Sequence, residues 1–144
     1  MDKKTILVSA CLLGENCKYN GLNNYQEKYA NLKDKYNVIT FCPEVMGGLG
    51  VPREPLEYVG GKLIDKDGND YQKYLDLGRI GVNELLDRYD FAFAILKAKS
   101  PSCGKDEIYD GTFSHTTVKG DGFACELLKK KGIKVYSELE KIDI

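Results

Sequence analysis

The sequence lacks a long apolar stretch and carries almost no net charge. Its 21 Lys and Arg residues nearly balance 22 Asp and Glu residues, which gives a formal net charge of −1. A balance of this kind offers no broad positive field for a nucleic acid backbone or an anionic membrane. No apolar run approaches the length of a membrane span, and no signal peptide precedes the first apolar segment. We therefore expect a cytoplasmic protein.

The cysteines also lack the common metal-binding spacings. In a reducing compartment, the five cysteines are more typical of metal, catalytic or core thiols than of disulfides. The sequence has no paired Cys-x-x-Cys of the zinc-finger type and no clustered ferredoxin spacing. Any metal site would therefore need thiols that are distant in sequence and meet only in the fold.

What the sequence does contain is a regular alternation of apolar strands and amphipathic helices. Apolar runs predict strands at residues 5–10, 37–41, 91–96 and 133–136. Helical spacing predicts helices at residues 25–35, 71–88 and 123–131, a short last helix at 137–140, and hairpins at 58–64 and 108–113. With no repeat or linker, residues 1–144 are expected to form a single α/β domain of three layers. Its central sheet should be mainly parallel, in a Rossmann-like arrangement.

Three thiols follow the predicted core strands. Cys11, Cys42 and Cys103 each lie at, or within a short loop of, the carboxyl end of a strand, beside glycine or proline. In a parallel sheet that edge is where loops from separate strands converge, so these thiols are expected to meet. Cys125 lies among apolar residues of a predicted helix and is expected in the core. Cys17 lies in a polar loop, either exposed or as a fourth ligand.

Three dispersed thiolates fit two kinds of metal site. They can hold three irons of a 4Fe–4S cluster and leave the fourth iron open, as in a catalytic site. With Cys17 as a fourth thiolate, they would instead form a non-catalytic metal-binding or redox-sensing module. The spacing alone does not choose between iron–sulfur and zinc.

The segment from residue 41 to residue 55 holds the most constrained backbone in the chain. Cys42, Pro43 and Glu44 stand together, and three glycines and two more prolines follow. On an extended chain, Glu44 would return to the same face as Cys42 and could act as an acid or base. The competing role for Glu44 is a salt bridge to Arg53.

Several co-linear motifs resemble those of the thiouracil desulfidase (TudS) family, long known as a domain of unknown function. They are Cys11-Leu12-Leu13-Gly14, Cys42-Pro43-Glu44-Val45-Met46-Gly47-Gly48, Pro52-Arg53, Ser100-Pro101-Ser102-Cys103-Gly104, Asp110-Gly111-Thr112-Phe113-Ser114 and Gly120-Asp121-Gly122. Together they extend over nearly the whole chain, which makes the resemblance far more specific than any single motif.

The resemblance implies a desulfidase with a 4Fe–4S cofactor. It implies three cluster ligands, Cys11, Cys42 and Cys103, with one iron open. It further implies non-redox removal of sulfur from thiolated pyrimidines such as 2-thiouracil, giving the oxo base and sulfide. Glu44 is the implied acid or base. Either Ser100 or Ser102 is the implied second catalytic or substrate-orienting residue.

The chain departs from the family pattern at positions that bear on the substrate. Lys18 and Asn20 stand where the family usually has arginine and aspartate, and His115 stands where it usually has glycine. Replacing a guanidinium by an ammonium removes a bidentate donor. We expect His115 at the surface or in a supporting position rather than in catalysis. The neutral charge balance favours a small thiolated base or nucleoside over tRNA as the substrate.

Overall fold

The computed structural model describes residues 3–142. In chain order its elements are β1 (Lys4–Ser9), α1 (Leu32–Lys35), β2 (Tyr36–Phe41), α2 (Pro43–Met46), β3 (Glu57–Val59), β4 (Lys62–Ile64), α3 (Gln72–Arg88), β5 (Phe91–Leu96), β6 (Glu107–Tyr109), β7 (Thr117–Lys119), α4 (Phe123–Lys130) and β8 (Val135–Ser137). Two 3-10 turns, Ala10–Leu13 and Glu27–Tyr29, lie between β1 and α1. No helix in the described part of the chain is long and apolar enough to span a membrane.

The central sheet is formed by the four predicted core strands. They lie in the order β2-β1-β5-β8, and every neighbouring pair is parallel. Since the strands are not in chain order, the connections cross over the faces of the sheet, as in doubly wound folds. The predicted α/β class with a parallel central sheet is confirmed. Two small antiparallel hairpins, β3–β4 and β6–β7, lie outside this sheet.

Alternating side chains of the central strands form two separate cores. On one face, Leu7 and Leu96 pack in the cluster that contains the buried residues of α3 and α4. On the other face, Ile6, Val8 and Ile95 pack in a cluster with residues of the 3-10 turns and α1. Successive residues of a strand point to opposite faces, so β1, β2 and β5 each supply both cores. The sheet is therefore covered on both faces.

Helix α2 packs against α3 through two glycines. A Cβ atom at Gly47 would lie 2.3 Å from the carbonyl oxygen of Tyr74, and one at Gly78 would lie 2.9 Å from that of Pro43. These separations are too short for any side chain, so the two backbones are in direct contact. Because α2 carries Glu44, the position of that carboxylate depends on this contact.

The predicted helix at residues 25–35 is wrong. The apolar spacing there is helical, but the structure contains only a 3-10 turn and the four-residue α1. The amide of Asn24 donates to the carbonyl of Cys11 (2.9 Å), and that of Gln26 donates to the carbonyl of Leu12 (2.9 Å). These bonds tie the start of the segment to the turn after β1, and tertiary contacts thereby override the local preference.

Two further local predictions are corrected. The hairpin expected at residues 108–113 has its strands at β6 and β7, joined by a loop at residues 110–116. The short helix expected at residues 137–140 is a turn. In that turn the amide of Ser137 donates to Glu140 Oε1 (3.0 Å), and the amide of Leu139 donates to Ser137 Oγ (3.2 Å). Such side-chain acceptors compete with helical hydrogen bonding.

Candidate active site

The three strand-end thiols line a single pocket. Cys11 follows β1, Cys42 follows β2, and Cys103 lies in the turn after β5, and these strands are neighbours in the sheet. The pocket has a volume of about 600 Å³ and also contains Cys17 and Glu44 in its wall. The structure thus brings together residues that are up to 92 positions apart in sequence (103 − 11). Cys125 is completely buried and lies outside the pocket wall, as expected.

Each thiol is held by a different kind of local structure. Cys11 lies in the 3-10 turn that ends at the left-handed Gly14. Cys42 has extended backbone and precedes the first residue of α2. Cys103 is 4% exposed, and its amide donates to Ser100 Oγ (2.7 Å). All five cysteines are free thiols.

The site favours the charged form of two thiols. A hydrogen bond with the Cys17 thiol, assisted by Asn24 and the Lys97 charge, lowers the pKa of Cys11 to about 7. The Asn24 side-chain amide lies 3.4 Å from the Cys11 sulfur. The hydrogen bond with Cys17, together with the Val45 amide, also lowers the pKa of Cys42 against the effect of burial. Thiolates are the metal-binding form of cysteine.

The other two thiols in the pocket are shifted toward the neutral form. Its hydrogen bonds to the sulfurs of Cys11 and Cys42 raise the pKa of Cys17. Burial raises the pKa of Cys103, although hydrogen bonds from Ser9 and Ser102 partly oppose the effect. Without a cation in the pocket, four neighbouring thiols cannot all be charged, because like charges disfavour one another.

The three predicted catalytic residues form one hydrogen-bonded chain. Ser102 Oγ donates to Glu44 Oε2 (3.0 Å), and Ser100 Oγ lies 3.3 Å from Ser102 Oγ. Ser102 is 2% exposed, whereas Ser100 is half-buried. These hydrogen bonds therefore link the Glu44 carboxylate, through the buried Ser102 hydroxyl, to the Ser100 hydroxyl, which has partial access to the pocket.

Glu44 also makes the ion pair that the sequence suggested. Arg53 Nη2 lies 3.5 Å from Glu44 Oε1 and donates to the carbonyl of Cys17 (2.9 Å). The side chains of Arg53 and Glu44 are only 7% and 11% exposed. The ion pair and the serine chain use different carboxylate oxygens, so Glu44 makes both contacts at once.

The local backbone around Glu44 differs from the prediction. We expected an extended chain from Cys42 to Glu44, but residues 43–46 form α2. The signal was present, since proline is favoured at the first helical position and glycine follows the last. The helical turn places Glu44 in its first turn, where backbone N–H groups favour a negative charge.

Two charged contacts at the site were not anticipated from the sequence. Glu138, 6% exposed, pairs with Lys97 Nζ (3.1 Å) and accepts a hydrogen bond from the Ala98 amide. Glu57, another buried carboxylate, lines the pocket. The sequence carried no signal for either, because Glu57 lies on a three-residue strand and Glu138 in a turn, and neither belongs to a motif.

The pocket contains several metal-binding thiols that come from different parts of the chain. Among residues 3–142, no group of three or more His, Cys, Asp or Glu side chains is arranged to hold a metal ion. Iron–sulfur clusters are held by cysteine thiolates. Cys11, Cys42 and Cys103 come from three strand ends and share this pocket, so its donor set fits such a cluster.

The fold and the pocket define an α/β protein with thiol, carboxylate and hydroxyl groups gathered at the carboxyl edge of a parallel sheet. Comparison with known proteins specifies the family, since the 2-thiouracil desulfurase family model matches residues 6–140. The chain is also 38% identical over 149 residues to the uncharacterised protein YbbK of Bacillus subtilis (strain 168). That alignment covers 96% of this chain and 99% of YbbK.

A solved structure agrees with the family assignment. The [4Fe-4S]-dependent thiouracil desulfidase TudS superposes with a TM-score of 0.87 at 38% sequence identity, over 94% of this chain and 91% of that one. The chain therefore belongs to the 2-thiouracil desulfurase family, and the resemblance seen in its sequence motifs is confirmed.

Proposed function

We propose that this enzyme is an iron–sulfur-dependent, non-redox desulfidase of small thiolated pyrimidines. The balanced reaction replaces a C=S group by C=O, consumes one water and releases one molecule of hydrogen sulfide. The observation that carries the proposal is the convergence of three strand-end thiols and the Glu44–Ser102–Ser100 chain on one pocket. The cluster dependence of the related TudS supports the choice of cofactor.

Cys11, Cys42 and Cys103 would hold the 4Fe–4S cluster. When bound, such a cluster with one open iron supplies a thiophilic Lewis acid that polarises the C=S bond. The neighbours that lower the pKa of Cys11 and Cys42 also favour the thiolate needed for binding. The burial that keeps Cys103 neutral would be offset by the positive charge of iron.

Glu44 would act as the general base. Its carboxylate takes the proton of the attacking water, while Ser102 donates to one oxygen and Arg53 faces the other. These contacts hold the carboxylate in one orientation, which a base needs in order to meet the water at the correct distance. Ser100, which has partial access to the pocket, would orient the substrate, and buried Ser102 would position Glu44.

The pocket size and the charge balance favour a free base or nucleoside as the substrate. A volume of about 600 Å³ accommodates a pyrimidine with room for the cofactor. With a net charge of −1, the protein as a whole offers little electrostatic attraction to the phosphate backbone of tRNA. The five free thiols agree with a cytoplasmic location.

The test is an anaerobic assay of the reconstituted protein with 2-thiouracil. We expect a brown protein that contains four irons and four sulfides, and that forms uracil and sulfide in equal amounts. The oxidation state of the cluster should be the same before and after turnover. Reconstituted protein that binds iron and sulfide but releases no sulfide from 2-thiouracil, 4-thiouracil or their nucleosides would contradict the proposal.

The contact of Cys17 with two other thiols supports an alternative, a non-catalytic metal-binding or redox-sensing module. In that case Cys17 would complete a four-thiolate site. Protein isolated colourless, with one zinc and no activity after iron–sulfur reconstitution, would favour this module. A cluster that survives the Cys17→Ala substitution with full turnover would exclude it.

A further inference from the structure

Strained backbone in this chain is concentrated at the pocket. In residues 3–142, four residues other than glycine have left-handed backbone: Lys99, Asp106, Phe113 and His115. Three of them, Lys99, Phe113 and His115, line the pocket. Residues in this conformation persist only where surrounding contacts hold them, and such positions cluster at functional sites. Phe113 and His115 belong to residues 110–116, which we call the wall loop.

A buried carboxylate holds the wall loop in this conformation. Glu57 Oε1 accepts hydrogen bonds from the amides of Gly111 (2.8 Å) and Phe113 (3.2 Å). Gly111 packs so closely on Val59 that a Cβ atom would lie 2.3 Å from its side chain. Glu57 comes from β3, so the loop is attached to a second hairpin rather than only to its own strands.

Phe113 is the apolar side chain among the wall-loop residues that line the pocket. Phe113 is half-buried and lines the same pocket as Cys11 and Glu44. The ring of His115 contacts that of Tyr109, with centroids 6.1 Å apart and planes at 80°. Phe113 has no polar atom in its side chain, so stacking is the recognition it can offer to a flat heterocycle.

We propose that Phe113 provides the ring against which the planar base stacks, and that Glu57 is the positioning residue that fixes Phe113 there. The inference rests on the proposed function and specifies how its substrate class is recognised. Stacking acts on the ground state and the transition state alike, so it lowers KM and leaves kcat unchanged. Glu57 needs only an acceptor oxygen for this role, because both of its partners are amide donors.

The first test compares Phe113→Leu with Phe113→Tyr in the cluster-loaded enzyme. Loss of the ring should weaken binding of unreactive uracil, and raise KM for 2-thiouracil, by about tenfold, with kcat within about twofold. The tyrosine variant keeps the ring and should bind as the parent does. Phe93→Leu is the matched control. Phe93 belongs to β5, is half-buried between the rings of Tyr36 and Tyr136, and does not line the pocket. Equal uracil affinity in Phe113→Leu and the parent would overturn the proposal.

The second test compares Glu57→Gln with Glu57→Met. Glutamine retains an acceptor oxygen and should keep the KM of the parent, whereas methionine should raise KM as Phe113→Leu does. A cluster spectrum equal to that of the parent shows that the site is intact. If Glu57→Met keeps the parent KM, the positioning role is wrong. Should that variant fail to fold, the Phe113 pair still decides the stacking role.

The two proposals fail in different ways. If the parent protein releases no sulfide but binds uracil through Phe113, the proposed function is wrong and the stacking role stands. If the parent desulfurates 2-thiouracil and Phe113→Leu binds uracil equally well, the stacking role is wrong and the function stands. Measuring binding with uracil keeps the second outcome independent of chemistry.

Discussion

Among single residues, Glu44 connects the serine chain to Arg53. One carboxylate oxygen accepts from Ser102 and the other faces Arg53, whose Nη2 also donates to the carbonyl of Cys17. Cys42 Sγ lies 3.8 Å from that same carbonyl oxygen. Substitution of Glu44 should therefore separate the chemistry from the assembly of the thiols, since its own contacts are to side chains outside the ligand set.

Glu44→Gln should retain the cluster and lose turnover. A neutral amide cannot accept the proton of water, and a general base typically contributes a rate factor of about 10²–10⁴. We expect kcat with 2-thiouracil to fall by that factor, while iron content and the visible spectrum stay at parental values. Glu54→Gln, at an exposed position nearby, is the control and should be fully active. A fully active Glu44→Gln enzyme would show that Glu44 is not the base.

The cysteines should divide into two groups when each is replaced by alanine. Cys103→Ala removes a proposed ligand, and we expect reconstitution to yield fewer irons and no sulfide release. Cys125→Ala removes a thiol of α4 that packs in the core and does not line the pocket. It should retain four irons and lose only stability, as core truncations do. Iron analysis of both variants is the measurement, and a fully loaded Cys103→Ala protein would contradict the ligand assignment.

The sequence predicted the three pocket thiols more completely than it predicted the buried acids that bond to the neighbouring loops. Cys11, Cys42 and Cys103 follow apolar strands, and that position alone placed them at one edge. The supports Glu57 and Glu138 were missed because a buried acid on a short element has the same sequence pattern as an exposed one. Only tertiary structure shows that Glu57 faces the amides of the wall loop.

At the scale of elements, the contact between α2 and α3 sets the position of Glu44. The contact is between the backbones of both helices, so there is no room for an added atom at Gly78. A Cβ at Gly78 would also lie 3.1 Å from the ring of Phe123. One helical turn away, a Cβ at Gly81 would meet only the Met46 side chain, with its flexible Cε atom nearest at 2.8 Å and its Cβ atom at 3.4 Å. A side chain therefore has no room at Gly78 but can be accommodated at Gly81, although both glycines belong to α3.

Gly78→Ala should destabilise the protein, and Gly81→Ala should not. Overpacking against rigid backbone costs about 1–3 kcal/mol, whereas alanine in a helix gains about 1 kcal/mol over glycine where there is room. We expect urea unfolding to show a net loss for Gly78→Ala and little change or a gain for Gly81→Ala. Gly78→Ala should also lower kcat, because α2 must move. Equal stability of the two variants would refute the close contact.

The elements that were predicted wrongly share a cause. Residues 25–35 and 137–140 have helical spacing or capping residues, but backbone amides at or next to each segment bond to acceptors other than helical carbonyls. At residues 24–26 the acceptors lie in the turn after β1, and at residues 137–139 they are the side chains of Glu140 and Ser137. The long helix α3 was predicted within one residue of its bounds, because its periodicity extends over seventeen residues.

For the molecule as a whole, buried carboxylates make stability depend on pH. Hydrogen bonds from Asn69 and Tyr71 lower the pKa of Asp65 below its usual value of 3.8. A group whose pKa is lowered by folding contributes stability above its unfolded pKa, and that contribution is lost as the pH falls through the folded value. Asp65 thus stabilises the native chain at neutral pH and ceases to do so in acid.

Asp65→Asn should be less stable than the parent at pH 7, with a difference that shrinks as the pH falls below about 4. The reason is that protonation removes from the parent the same charge that the substitution removes. Urea unfolding between pH 3 and pH 7 measures this difference. A difference for Asp65→Asn that stays constant with pH would refute the assignment.

The placement of the thiols on three neighbouring strands links metal loading to the order of folding. On the proposed ligation, a ribosome-bound chain that ends before residue 103 cannot bind the cluster, and neither can a chain whose β1 has not paired with both β2 and β5. Colour would therefore appear only after the central sheet is assembled. The absorbance of the cluster then reports the folded fraction of the protein. Destabilising substitutions far from the pocket will lower the iron content even though they leave the ligands in place.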